Sequence, residues 1–416
     1  MQREIRVPIF DLVISISSIA DLVNPLLMDH HKQVGYIAHA LAQEMGLSLE
    51  ERKSITLAGL LHDIGGLSVR ERLVALEFEE TDNQLHAEVG YQLLKNYQPF
   101  SQTAQIIRYH HTWWKEFDKG IPLGSLIVHL ADRVAVSIKR NSYILDQREH
   151  ILGKIEKQAG RMFMPEVVEA FRNLAHKEFF WFDVISPYIV QTLKKESHFE
   201  NVNMGPADLL EMANIFARII DFHSPFTANH SSGVAATAQA LASYLDFSDY
   251  DQELIRIAGL LHDVGKLAIP TGILEKPGPL SKREFSIVKS HSFYTYRTLE
   301  LISGFEEIKK WSAFHHEHLD GKGYPFHLKK EELSLGSRIL AVADVFTAIT
   351  EDRPYRKGMT DRQVLDCLGR MVKKQALDKE IVDLLKANYD DINLARSITQ
   401  KVTEREYEDF LNLTLN

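Results

Sequence analysis

The stretch HHEHLDGKGYP, His315 to Pro325, sets two adjacent imidazoles ahead of a glycine-rich turn that ends Gly-Tyr-Pro. Adjacent histidines alone decide little, because nineteen histidines in 416 residues make chance pairs common. Their company decides more. TLAGLLHDIGG at 56–66 returns as RIAGLLHDVGK at 256–266, an offset of 200 residues. At that offset His30 matches His230. Five further residues bring His86 onto His291 and His110-His111 onto His315-His316, and seven more bring Asp132 onto Asp344. Ten of the nineteen histidines fall on this repeat, while the segments between have drifted apart, so the set is retained selectively.

Neutral imidazoles and carboxylates suit first-row metals such as Fe, Mn and Zn, and no thiolate joins them. Five histidines and two aspartates exceed one tetrahedral site and suit two ions that share a carboxylate. In His262-Asp263 the side chains leave neighbouring positions at one helix end, so the Asp can bridge while the His binds one ion. Two cations acidify a water and neutralise a phosphate in line for attack. The expected reaction class is metal-assisted phosphoester hydrolysis. Each residue also has a plainer reading. A lone His86 or His291 on an amphipathic helix is more often structural, and Asp344 alone would serve as a helix-terminus carboxylate. The matched order and the second copy carry the metal reading.

The elements that must position these residues read as helices. HKQVGYIAHALAQEMGL, GVAATAQALASYLDF and FSIVKSHSFYTYRTLELI carry apolar residues at three- and four-residue spacing, and alternating strand patterns are scarce. The expected fold class is all-α. A chain of this length implies two or three domains. The turn-like cluster in NVNMGPADLL puts the main boundary near residue 200, giving domains 1–200 and 201–416, with a helical linker from about 146. With 45% hydrophobic and 25% charged residues the chain is an ordinary globular one. Its formal charge of −9 argues against non-specific DNA binding. The single cysteine, Cys367, excludes an internal disulfide and fits a reducing compartment. VPIFDLVISISSIADLV is interrupted by Asp11 and Asp21 and lacks a basic start, so it reads as a buried or amphipathic helix. No run reaches the ~18 apolar residues of a membrane span. A cytoplasmic location is expected.

LLHDVGKLAIP, GILEKPGPL, HHEHLDGKGYP, RILAVADVFTAIT and DRPYR, in this order, resemble the HD-GYP family of bacterial cyclic-dinucleotide phosphodiesterases. The resemblance covers about 205–400; residues 1–145 resemble an HD-superfamily domain without the extra motifs. It implies two tandem HD-type helical domains and two divalent ions, Fe or Mn. His230, His262, Asp263 and Asp344 would hold one ion, and Asp263 would bridge to a second held by His291, His315 and His316. Lys266 would meet the scissile phosphate and protonate the leaving oxygen. Gly321, Gly323, Tyr324 and Pro325 would line the substrate groove, the glycines permitting close backbone approach to a ligand. A plain surface turn would use the same residues. Arg353 and Arg356 would grip phosphate or guanine, in competition with a salt-bridged surface role.

The chain departs from the family pattern at three places. Phe226 stands where some members carry a Glu for a third metal, Thr295 replaces a glycine, and Phe346-Thr347-Ala348 replaces Phe-Asp-Ala. The repeat also lengthens at two points, around AIPTGILEKPGPL and around GYP, so the second copy differs from the first in its substrate-facing loops. The expected substrate is cyclic di-GMP, linearised to pGpG and cut onward to GMP. A mixed cyclic GMP-AMP dinucleotide is the nearest alternative, and a non-catalytic binding module is the rival class. The first copy keeps His30, His62, Asp63, His86, His110, His111 and Asp132 but has Gly66 in place of the lysine. It is expected to bind metal and to act as a regulatory or structural partner, the competing reading being a second hydrolase. Trp113 and Trp114 would line a pocket or fill an interface. A homodimer, or an intramolecular pseudo-dimer of the two copies, is the expected assembly.

Overall fold

The computed structural model describes residues 5–21, 28–66, 85–199, 201–223, 229–352 and 357–415. Phe226, Arg353 and Arg356 lie outside the described residues. Apart from one pair of four-residue strands, the described secondary structure is helical, and the all-α expectation holds. Two compact units emerge: Pro8–Asn201, and Val202–Asn416 together with Met1–Val7. The small N-terminal piece belongs to the second unit because the strand Ile5–Pro8 pairs with the strand Asn201–Met204. NVNM therefore differs from the expected turn: its composition signals a loop, but a backbone partner distant in sequence overrides local preference.

Four of the helices that carry or lead into the histidines and aspartates begin at well-made caps. Ser48 with Glu51, and Ser281 with Glu284, form reciprocal capping boxes before Leu49–Leu61 and Lys282–Glu300. Ser248 and Ser334 accept amide hydrogens at the starts of Asp249–Leu261 and Leu335–Thr350. Each cap satisfies an amide that the helix cannot, and so fixes where the helix starts and which face it presents.

Each unit packs these helices in the same way. The helix headed by the first histidine, His30–Glu44 or His230–Ser243, lies against the helix leading into His-Asp, Leu49–Leu61 or Asp249–Leu261. A Cβ at Gly259 would lie 2.6 Å from the Cα of Ala235, and one at Gly59 would lie 2.9 Å from the Cα of Gly35. Only glycine allows the two backbones to come this close. The helix that carries the last aspartate, Leu123–Ser137 or Leu335–Thr350, covers the other side. Ile37, Leu60, Ile127 and Leu130 fill the first core; Leu241, Leu261, Val342 and Phe346 fill the second. Each such side chain contributes about 1.5–3 kcal/mol on burial.

The apolar N-terminal run forms the helix Ile9–Asp21, with Phe10, Leu12, Val13, Ile14, Ile16 and Ile19 buried. Its two acids, both nearly buried, have partners in the same unit: Asp11 meets Lys194 at 2.6 Å, and Asp21 pairs with the His31 ring. Among the described residues no helix is long and apolar enough to cross a membrane.

Away from the metal-type clusters, His39 is buried in the first unit, its Nδ1 3.0 Å from Thr56 Oγ1. The Thr56 hydroxyl donates to the Arg52 carbonyl, so it accepts from His39 Nδ1–H. Burial, helped by the Arg52 charge, pushes this imidazole down to about 4. The folded value lies below the ~6.5 of an unfolded chain, so unfolding takes up a proton as pH falls. The stabilising contribution is therefore complete above ~6.5 and is lost as pH drops through about 4. His39→Gln should flatten the pH dependence of unfolding in this window, and titration of the His39 ring by NMR should give a midpoint well below that of a free imidazole.

Candidate metal centre and substrate loop

Three imidazoles of the second unit are fixed in one way. His262, His291 and His315 each hold Nδ1 2.6 Å from the carbonyl oxygen three residues earlier: Gly259, Val288 and Ser312. A carbonyl can only accept, so Nδ1 carries the hydrogen and Nε2 is a bare lone pair turned inward. The Nε2 atoms of His291 and His315 then face each other at 3.3 Å. Two acceptors held that close suit a shared cation, and the Ser292 hydroxyl lies 3.2 Å from the His291 nitrogen. The Nε2 of His262 is buried with no hydrogen-bond partner among the described residues. Neutral imidazoles with inward lone pairs are the donor set a divalent ion needs, and the residues fit such a group.

The carboxylates complete the cluster. Asp263 reaches two directions, with Oδ2 3.1 Å from His262 Nε2 and Oδ1 3.4 Å from His291 Nε2. Asp344 Oδ1 lies 3.1 Å from His230 Nε2, and its Oδ2 lies 3.9 Å from His316 Nδ1. The donors fall into overlapping groups: His230, His262 and Asp344; His262, Asp263 and His315; His291, His315 and His316. All seven residues that the sequence singles out are thus brought together. Burial holds the His291 and His315 imidazoles below their ordinary range, which keeps them neutral. Burial opposes ionisation of Asp263, but the adjoining His262 ring and the Lys266 ammonium outweigh it and hold the carboxyl well below the usual range. Burial also opposes a charge on His230, yet Glu351 and Asp344 push it up to about 10.

Lys266 Nζ lies against Asp263 Oδ2, and its side chain keeps a fifth of its surface in solvent. It sits at the rim of the cluster rather than inside it. Thr295, the departure from glycine, donates to the His262 carbonyl at 2.9 Å and accepts from the Gly265 amide at 3.1 Å. It therefore ties the His-Asp turn to the helix that carries His291.

Two acidic residues that the sequence reading did not single out support the site. Glu351 places Oε2 3.1 Å from His230 Nδ1. Glu317, directly after the histidine pair, is nearly fully buried and accepts from the amides of Phe326, His327 and Leu328 at 2.7–3.1 Å. Its carboxylate folds the GYP loop back onto the helix end. Tyr324 N donates to the His316 carbonyl at 3.1 Å, and the two rings lie 4.8 Å apart. The glycines have reasons internal to the protein. Gly321 has φ +75°, and a Cβ at Gly323 would lie 2.4 Å from the Cα of Glu317. Lys289 Nζ stands 5.1 Å from the centroid of the Tyr324 ring. A signal for Glu317 exists in hindsight, as an acid between two histidines; none exists for Glu351.

The first unit repeats the cluster. His62 and His110 donate from Nδ1 to the Gly59 and Ile107 carbonyls at 2.9 and 2.6 Å. Asp63 lies 3.3 Å from His62 and 3.2 Å from His86, and His30 lies 3.3 Å from Asp132. Metal-sized groups form from His30, His62 and Asp63, and from Asp63, His86, His110 and His111. Here Arg133, almost fully buried, pairs with Asp132. Trp113 lies beneath Lys115 and Arg161, and Trp114 stacks on Phe117, so both pack within their own unit. An open cavity of about 370 Å³ beside His111 is lined by Glu88, Arg108, Tyr109, Thr112 and Glu116.

Residues 27–137 and 214–381 each match a family model described as an HD domain. The chain is 34% identical over 392 residues to a 3'3'-cGAMP-specific phosphodiesterase of Vibrio cholerae, covering 90% of both. It is 44% identical over 136 residues, 32% of each chain, to a cyclic di-GMP phosphodiesterase of Pseudomonas aeruginosa. A crystal structure of a cyclic GMP-AMP-specific phosphodiesterase of V. cholerae has the same fold, with TM-score 0.64 at 24% identity. That match covers 93% of this chain and 98% of the other.

Glu317 generates a prediction. Replacing it by Ala strands three loop amides, at about 1–3 kcal/mol for each one left unsatisfied. Glu317→Ala should lower the unfolding midpoint and expose 318–328 to proteolysis, while metal content measured by mass spectrometry stays at the parental level.

Proposed function

Because the chain belongs to the HD-GYP family of bacterial cyclic-dinucleotide phosphodiesterases, we propose that its second unit hydrolyses 3',3'-cyclic GMP-AMP with two divalent ions, Fe or Mn. The observation that carries the metal dependence is the pair of opposed Nε2 lone pairs of His291 and His315, each fixed by its own backbone carbonyl. The preference for the mixed dinucleotide over the expected cyclic di-GMP is supported by the relative matched along nearly the whole chain. The metal donors read phosphate and not base, so cyclic di-GMP stands as the second substrate. The work is done in the cytoplasm, where cyclic dinucleotides act as messengers.

His230, His262, Asp263 and Asp344 would hold one ion, and His291, His315 and His316 the other, with Asp263 between them. Bound there, such ions supply charge for the phosphodiester and acidity for the attacking water. The protein's own groups do the rest. Lys266, released from Asp263 towards the substrate, offsets negative charge on the scissile phosphate and gives a proton to the leaving oxygen. Burial and the Asp344 and Asp263 charges push the Tyr324 hydroxyl up in pKa, so it stays a donor beside His316. Tyr324 and the loop held by Glu317 line the groove for the nucleotide. The first unit keeps a metal centre from His30, His62, Asp63, His86, His110, His111 and Asp132 but takes a regulatory or structural role. It lacks the lysine, having Gly66 instead, and lacks the GYP loop.

Purified protein loaded with Mn²⁺ should linearise cyclic GMP-AMP faster than cyclic di-GMP when products are resolved chromatographically; equal or reversed rates would remove the substrate preference. Lys266→Ala should keep its metal and lose ~10²-fold or more in rate. Substituting His262 and Asp263 together by Ala should abolish hydrolysis. The same pair of changes at His62 and Asp63 should leave it in place in a folded chain. A folded His62/Asp63 variant without hydrolysis, beside an active His262/Asp263 variant, would assign catalysis to the other half.

A further inference from the structure

His230 differs from the other imidazoles in how its ring is held. His262, His291 and His315 donate to a carbonyl three residues earlier, which for each belongs to the helix leading into it or containing it. His230 is the first residue of its helix, His230–Ser243, and has no preceding helical turn to supply such a carbonyl. Its Nδ1 must find a partner elsewhere. That partner is Glu351, the residue that caps the Leu335–Thr350 helix on which Asp344 sits.

Residues 344 and 351 are seven apart, close to two helical turns, and so leave one face of the same element. Asp344 Oδ1 lies 3.1 Å from His230 Nε2 while Glu351 Oε2 lies 3.1 Å from Nδ1. One helix end thus grips a single imidazole at both nitrogens. Glu351 is itself held. Gln400 Nε2 donates to Glu351 Oε2 at 3.3 Å and to the carbonyl of Asn229, next to His230, at 3.1 Å. Arg396 donates to Gln400 Oε1, which fixes which way the amide faces. All three side chains are at least nine-tenths buried. In the register of the repeat, Lys139 occupies the place of Glu351 in the first copy, a donor where the second copy has an acceptor.

We propose that Glu351 is the positioning residue for His230, and that Gln400 and Arg396, on the helix Tyr389–Leu415, hold Glu351 in place. A carboxylate on Nδ1 orients the ring and makes Nε2 a stronger ligand than a carbonyl would. The C-terminal helix thereby sets the affinity of one metal position while contributing no ligand to it. This rests on the metal-dependent reading above, which fails separately if the parent chain binds no ion or hydrolyses without one.

The test uses the full chain loaded with Mn²⁺. Ions per chain are counted after dialysis against graded chelator, and the Mn²⁺ concentration for half-maximal hydrolysis is measured alongside. Glu351→Ala should lose one ion per chain more readily than the parent and need ~10–100-fold more Mn²⁺. Its kcat at saturating Mn²⁺ should return to within a few-fold of the parent. Glu351→Gln, whose amide oxygen still accepts, should fall between, and Gln400→Leu should shift the Mn²⁺ requirement in the same direction by less. A folded Glu351→Ala chain with the parental ion count and Mn²⁺ requirement overturns the proposal. So does equal loss of every ion together with a lowered metal-free melting temperature, which would mark a packing role alone. If the alanine variant does not fold, the isosteric glutamine variant decides: a parental Mn²⁺ requirement there also overturns it.

Discussion

The hydrogen bond from imidazole Nδ1 to the carbonyl three residues earlier is the constraint on which both clusters depend. It converts helix geometry into ligand geometry, because once the helix end is set the ring has one tautomer and one direction. His262, His291 and His315 use it in the second unit, and His62 and His110 use it in the first. The rings converge only if the helices approach closely. That is why glycines stand at the crossings, where Gly59 meets Gly35 and Gly259 meets Ala235. The caps at Ser48, Ser248, Ser281 and Ser334 belong to the same requirement, since a helix that began one residue later would turn its histidine or aspartate by about 100°.

Much of this was legible in the chain itself. The repeat, the ligand-type residues and the helical class follow from spacing, because helix-borne ligands recur with the periodicity of the helix and a duplicated unit preserves their order. What escaped was set by long-range contact. Glu351 is one acid among many until the Leu335–Thr350 helix brings it over His230, far away in sequence. Glu317 lies inside the motif, but its partners are loop amides whose direction no pattern encodes. The strand Asn201–Met204 carries turn-forming residues and becomes a strand through Ile5–Pro8. Thr295 looked like a loss of glycine, yet its hydroxyl replaces freedom with two hydrogen bonds at the His-Asp turn.

The two clusters differ most in where each keeps a cation. In the second unit Lys266 leans on Asp263, the carboxylate between the two donor groups, and remains a fifth exposed. In the first, Arg133 leans on Asp132 at the far end of the set and is almost entirely buried. Both place one positive charge against one of two aspartates, so the electrostatic sum is similar. Their freedom is not. An ammonium on a flexible stem at the rim can leave its carboxylate when a phosphate offers a better partner. A guanidinium sealed in a core, charged at every accessible pH, cannot leave without exposing the carboxylate and breaking its own packing. The first unit's charge is therefore fixed within its cluster, whereas the second unit's charge is free to change partners. The two copies share their donors and differ in the cation, sealed against Asp132 in the first and at the rim beside Asp263 in the second.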